Sequence, residues 1–172
     1  MKKKAISLVL ILAMIVMFVP SSGIDMTAYA ASNSELQARI ISRLYNGAGG
    51  SVSCDFDGYV TTAGRHEGID FRLYEGANVY AVADGVVTSA RQASNGLTTI
   101  AIYNSEFDVT IIYLHTKNFA VQTGDNVSVG TKIAQEGKNG ASAAHTHVEL
   151  RTGKRTSASK SVNDSTLDNP NP

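Results

Sequence analysis

Four histidines and a few carboxylates carry most of the chemistry open to this chain. Two of the histidines stand together near the C-terminal end, in Ala144-His145-Thr146-His147-Val148-Glu149-Leu150. The polar–apolar alternation predicts a half-buried strand, on which residues two apart face the same way. His145 and His147 then project side by side, and Glu149 shares their face. A second pole is Gly64-Arg65-His66-Glu67-Gly68-Ile69-Asp70-Phe71. The four-residue spacing puts His66 and Asp70 on one side of a helix or of a strand. Gly64 and Gly68 disfavour the helix, and Ile69 and Phe71 favour the strand. With one imidazole from the His145 pair they make a His₂Asp set. Three protein ligands plus a fourth position for water is the arrangement of catalytic zinc. Such an ion lowers the pKa of its water toward ~7 and polarises a carbonyl. The plainer alternative is a set of hydrogen-bonded or solvated strand histidines. His66-Glu67-x-x-Asp70 also lies close to the HExxH of helical zinc proteases, a reading that needs a helix through Gly68.

The elements that must hold these residues are mostly strands. Val79–Ala83 reads as a buried strand, Asp84-Gly85 as a tight turn, and Val86–Thr88 as the return strand. Asn95-Gly96 turns into Leu97–Tyr103, and Val109–Leu114 is a β-branched and aromatic run that places His115 at a strand end. Gly124-Asp125-Asn126 and Gly130 bracket a further hairpin, with Lys132–Ala134 as its partner, and Asn139-Gly140 turns the chain toward the His145 strand. Turns at roughly 8–12-residue intervals predict a mainly antiparallel all-β domain, a β-sandwich or partly closed barrel. Before it, Leu36, Ile40, Ile41 and Leu44 recur at helical spacing, and Ser34 with Gln37 forms a capping-box pattern, so a short N-terminal helix is expected.

The chain opens with Lys2, Lys3 and Lys4, an apolar run from Ala5 to Val19, and Ala28-Tyr29-Ala30. These are the three parts of a secretory signal peptide, and the run is shorter than the ~20 apolar residues that span a bilayer. The expected divisions are 1–30 signal peptide, 31–50 short helix and linker, 51–152 the β domain that carries the candidate metal site, and 153–172 a polar tail read as an exposed arm. Of 15 basic and 15 acidic residues, the leader holds three lysines and Asp25, which leaves the remainder at −2. That balance argues against nucleic acid as a partner, because phosphate binding wants a basic patch. Cys54 is the one cysteine, so no disulfide framework is expected. It reads as half-buried packing, with occupation of the metal's open site in a latent form as the alternative.

Four ordered blocks resemble the lysostaphin-type (LytM-type) zinc metalloendopeptidases of bacterial cell walls. The blocks are His66-x-x-x-Asp70-Phe71; Val79–Val87; Tyr113-Leu114-His115 with Gly124-Asp125-x-Val127-x-x-Gly130; and His145-x-His147. The resemblance covers about Gly58 to Leu150 and implies the duplicated-hybrid-motif type of β fold. It implies one zinc ion per chain held by His66, Asp70 and His147. It gives His115 and His145 the roles of general base on the metal's water and stabiliser of the developing oxyanion, in either order. The function implied is hydrolysis of peptidoglycan stems or bridges by a secreted, wall-associated monomer with no membrane anchor once the signal is removed. A catalytically silent wall-binding or hydrolase-regulating module is the alternative. The chain departs from the family at Ala144, Thr146 and Thr116, where larger apolar residues or proline are usual, and these changes bear on packing and groove shape.

Overall fold

The computed structural model describes residues 32–60, 64–159 and 169–172. The expected signal peptide lies outside the described residues, and among these no helix is long and apolar enough to cross a membrane. One helix, α1 (Asn33–Leu44), comes first. The strands follow as β1 (Ser51–Cys54), β2 (Ile69–Arg72), β3 (Asn78–Tyr80), β4 (Gly85–Gln92), β5 (Thr98–Asn104), β6 (Val109–Leu114), β7 (Asn126–Val127), β8 (Lys132–Gln135) and β9 (Thr146–Thr152).

Seven strands make one antiparallel sheet in the order β1-β2-β9-β6-β5-β4-β7, and β3 and β8 pair in a second. The large sheet ends on β1 and β7, so it is open and does not close into a barrel. Its central strands, β5 and β6, are buried on both faces, which is why they read as near-continuous β-branched runs. Ile100, Ile102, Ile111, Tyr113 and Val148 face a core completed by Val79, Ala81, Ile133 and Ala134 and by Leu44 and Tyr45 at the end of α1. The opposite face carries a smaller cluster of Ala101, Ile112 and Leu114, with Ala158 packed against it.

Two expected hairpins are not formed. β3 pairs with β8, whereas β4 pairs with β5 and β7, so the chain crosses between sheets at Asp84-Gly85. Gly85 serves close approach here: a Cβ on it would lie 2.5 Å from the Tyr103 carbonyl oxygen. Likewise β7 and β8 join different sheets. The loop between them is tied to the chain after β3 by Gly130 N–H to Ala81 O (2.9 Å) and Ala81 N–H to Thr131 O (2.9 Å). Local turn chemistry suggested the hairpins, and long-range pairing overrode it. α1 begins at Asn33, one residue before Ser34, and the Gln37 amide donates to Asp55 Oδ1 at 2.9 Å. The polar tail is exposed at residues 154–156 but packs back on the sheet at others of its described residues. Arg155 N–H donates to Thr110 Oγ1, Ser159 N–H to Glu149 Oε1, and Asn169 is buried.

Candidate metal centre

Register alone brings two of the expected residues together. β2 runs antiparallel to β9 with Asp70 directly opposite His147, and β9 pairs with β6 so that His147 lies opposite Leu114. Cross-strand partners share a face, so Asp70 and His147 project from the same side of the large sheet, away from the main core. His66 enters from the extended segment before β2, where the helical HExxH reading finds no helix. Asp57 N–H holds the His66 carbonyl at 2.8 Å, and an Arg65–Asp57 ion pair braces the same turn. Gly68 is required between the two ligands, because a Cβ there would lie 2.4 Å from Val148 O and 2.7 Å from His147 Nε2.

The three side chains converge on one point. His66 Nε2 lies 3.1 Å from Asp70 Oδ1 and 3.1 Å from His147 Nδ1, and His147 Nδ1 lies 2.9 Å from Asp70 Oδ1. Ligands of a tetrahedral ion with bonds of ~2.0–2.1 Å stand roughly 3.3 Å apart, so this triangle is close to the size that a divalent ion takes. The proton positions fit as well. His66 Nδ1 sits 2.6 Å from the Asp55 carbonyl oxygen, an acceptor only, so the proton is assigned to Nδ1 and the Nε2 lone pair faces the triangle. Behind His147, Nε2 faces Glu149 Oε2 at 3.6 Å. A carbonyl or carboxylate behind each imidazole is the usual support of a metal-ligating histidine. The donor set therefore fits a divalent cation.

Electrostatics point the same way. Burial works against charge on Asp70, but the His147 and His66 rings outweigh it and hold its carboxyl far below the usual range. Burial would also lower the His147 pKa, yet the Asp70 and Glu149 carboxylates pull it up to about 9. Glu149 is fully buried, and against burial His147 and the Ser159 N–H hold its carboxyl below the ordinary value. The two carboxylates thus favour a positive charge on the His147 ring.

The remaining two histidines stand alongside. His145 precedes β9, with Nε2 3.6 Å from Asp70 Oδ1 and Nδ1 3.0 Å from the Ala143 carbonyl oxygen. His115 follows β6, with its ring 4.6 Å from that of His145 and Nδ1 2.9 Å from the Asn139 carbonyl oxygen. Its φ of +64° lies in the left-handed region, a strained conformation for a non-glycine residue. Burial pushes its pKa down to about 4. The Tyr59 ring stacks on His66 at 4.6 Å.

All five sequence-predicted residues thus meet at one place. Cys54 is there too: it lies opposite Asp70 on β1, and its Sγ and the nearest ligand atoms of His66 and Asp70 are all within 4.8 Å of one another. Sequence reasoning missed the Asp55 and Asn139 carbonyls, since a backbone acceptor leaves no mark in residue type. Asn169 was missed as well, standing in a stretch with no periodic signal. Glu149 was visible through its strand parity.

A family model described as Peptidase family M23 matches residues 64–162. An uncharacterised protein of Mycobacterium tuberculosis is 36% identical over 90 residues, which is 52% of this chain and 22% of that protein. The murein hydrolase activator NlpD of Escherichia coli is 33% identical over 88 residues, 51% of this chain and 23% of its own length. The chain therefore spans less than a quarter of these curated relatives. Among solved structures, LytU matches with a TM-score of 0.57 at 30% identity, over 62% of this chain and 77% of that one. A zinc-containing peptidase from Vibrio cholerae matches with a TM-score of 0.53 at 27% identity, over 70% and 37%.

Proposed function

Because the chain belongs to peptidase family M23, we propose that it is a zinc metalloendopeptidase that hydrolyses peptide cross-links of bacterial peptidoglycan outside the cytoplasm. The observation that carries this reading is the triangle of His66, Asp70 and His147, with His115 and His145 beside it. These three residues would hold the ion, which when bound supplies Lewis acidity that activates water and polarises the scissile carbonyl. The chain's own residues supply the rest. His145 and His115 each donate Nδ1–H to a backbone carbonyl, which fixes the ring and leaves Nε2 for the reaction. One of the pair takes the proton of the attacking water. The other, once it carries a proton on Nε2, donates to the oxygen that gains charge as the carbonyl carbon becomes tetrahedral. Asp70 and the buried Glu149 balance the positive charge that the histidines and the ion bring.

A second reading has one specific support: the similarity to a protein named as a murein hydrolase activator. In that reading the fold binds wall peptide and cleaves nothing. The two are separated by experiment. The catalytic reading expects about one zinc per chain, lost in His66→Ala and kept in His145→Ala and His115→Ala. Wall digestion falls by roughly 10²–10⁴-fold in the last two variants, as for loss of a general acid or base. Mass spectrometry of muropeptides released from walls of several chemotypes identifies the bond. Intact zinc with no cleavage of any wall would decide for the activator.

A further inference from the structure

The C-terminal segment reaches the back of the metal centre through Asn169, with Ser159 beside it. Asn169 is 9% exposed, and its hydrogen bonds join the two chain segments that carry the ligands. Its backbone N–H donates to Glu67 Oε2 at 3.0 Å, and its Nδ2 donates to the Glu67 carbonyl oxygen at 3.4 Å, immediately after His66. The same Nδ2 donates to Glu149 Oε1 at 2.7 Å, two residues past His147. Ser159 orients the amide by donating from Oγ to Asn169 Oδ1 at 3.1 Å. It also adds its own N–H to Glu149 Oε1 at 2.8 Å, and Arg151 Nε stands 3.8 Å from the same oxygen.

The consequence falls on the other carboxylate oxygen. With Oε1 held by two N–H donors, Glu149 Oε2 is left facing His147 Nε2 at 3.6 Å, and neither atom has a hydrogen-bond partner elsewhere among the described residues. An imidazole that offers Nδ1 to an ion must carry its proton on Nε2, and Oε2 is the acceptor beside it. Glu67 and Glu149 are both at most 1% exposed, so two buried carboxyl groups need hydrogen-bond partners. A neutral amide supplies them without cancelling the charge that His147 needs behind it.

We infer that Asn169 is a positioning residue of the metal centre, which ties the His66 and His147 segments together and turns Glu149 so that it backs His147. This rests on the metal assignment proposed above. The test is zinc affinity of the full chain, measured by competition with a chromogenic chelator, for the parent, Asn169→Ala, Asn169→Asp, Glu149→Gln and the Asn169→Ala/Glu149→Gln double variant. Asn169→Ala is expected to bind zinc roughly 10–100-fold more weakly, as when such supporting partners are removed. Asn169→Asp, which keeps the shape but puts a third carboxylate against the other two, should lose more, and it carries the test if the alanine variant does not fold. The double variant should be no weaker than its weaker parent, because both changes remove one linkage. Parent-like affinity in a folded Asn169 variant, or losses that add in the double variant, would overturn the inference while leaving the metal site standing. A parent that binds no zinc would overturn the metal assignment and this inference with it.

Discussion

The buried charges around the triangle make two histidines titrate in opposite directions, and the metal-free protein should report both. His147, raised to about 9 from 6.5, keeps a proton in the folded state that the unfolded chain has already lost. Its contribution to stability is full below pH 6.5 and disappears as pH rises through about 9. His115, lowered to about 4 from 6.5, stays neutral in the fold while the unfolded chain takes up a proton, so stability falls as pH drops from 6.5 toward 4. Urea midpoints of chelator-treated protein should therefore peak near pH 6.5 and decline on both sides. Zinc addition should flatten the alkaline decline, because an ion replaces the His147 proton. At neutral pH, calorimetry in buffers of different ionisation enthalpy should find about one proton released per zinc bound. A metal-free midpoint still rising between pH 6.5 and 9 would contradict the charge balance described for this site.

At the scale of elements, the site depends on how closely β2 approaches β9 and on how α1 is fastened to the sheets. Gly68→Ala sets a methyl group against Val148 O and the His147 ring. It should destabilise by about 1–3 kcal/mol and weaken zinc roughly tenfold or more, measured by denaturation and by chelator competition. The fastening of α1 is separate from the metal. Just after the helix, the Tyr45 hydroxyl donates to Glu136 Oε2 at 2.6 Å, an oxygen that also accepts Leu73 N–H at 3.0 Å, and Glu136 is fully buried. Tyr45→Phe should cost about 1–3 kcal/mol, since it strips a donor from a buried carboxylate. Zinc affinity should stay at the parent value. Thermal unfolding and zinc titration of the one variant check both halves of this expectation.

For the whole molecule, the proposed route is export followed by action on the wall. Lys2–Lys4, the apolar run and Ala28-Tyr29-Ala30 predict cleavage after Ala30. Protein recovered from the medium of a secreting bacterial host should therefore begin at Ala31 by N-terminal sequencing. A chain that stays with the cells and keeps its leader would instead support anchoring. The tail is part of the same balance: Ala158 packs on the second face of the large sheet, and Ser159 and Asn169 bond to Glu149. A chain shortened before Ser159 is expected to lose zinc affinity together with stability.

The β character of the chain and the short helix were legible in the sequence alone, because they follow from residue type and local period, and the four histidines and Asp70 proposed for the site were picked out there by residue type together with the family resemblance. His145 and His147 share a face by strand parity, and His115 at a strand end follows from the β-branched run before it, whereas Asp70 meets His147 only through the register of β2 on β9. The pairing of β3 with β8 and of β7 with β4 was decided only by tertiary structure. Asp84-Gly85 and the Gly124–Gly130 stretch carry hairpin signals that say nothing about which strand lies next door. The same holds for Asn169 and the Asp55 and Asn139 carbonyls. A hydrogen bond spanning 102 residues, such as Asn169 to Glu67, depends on where two backbones arrive in space, and no local pattern of side chains encodes that.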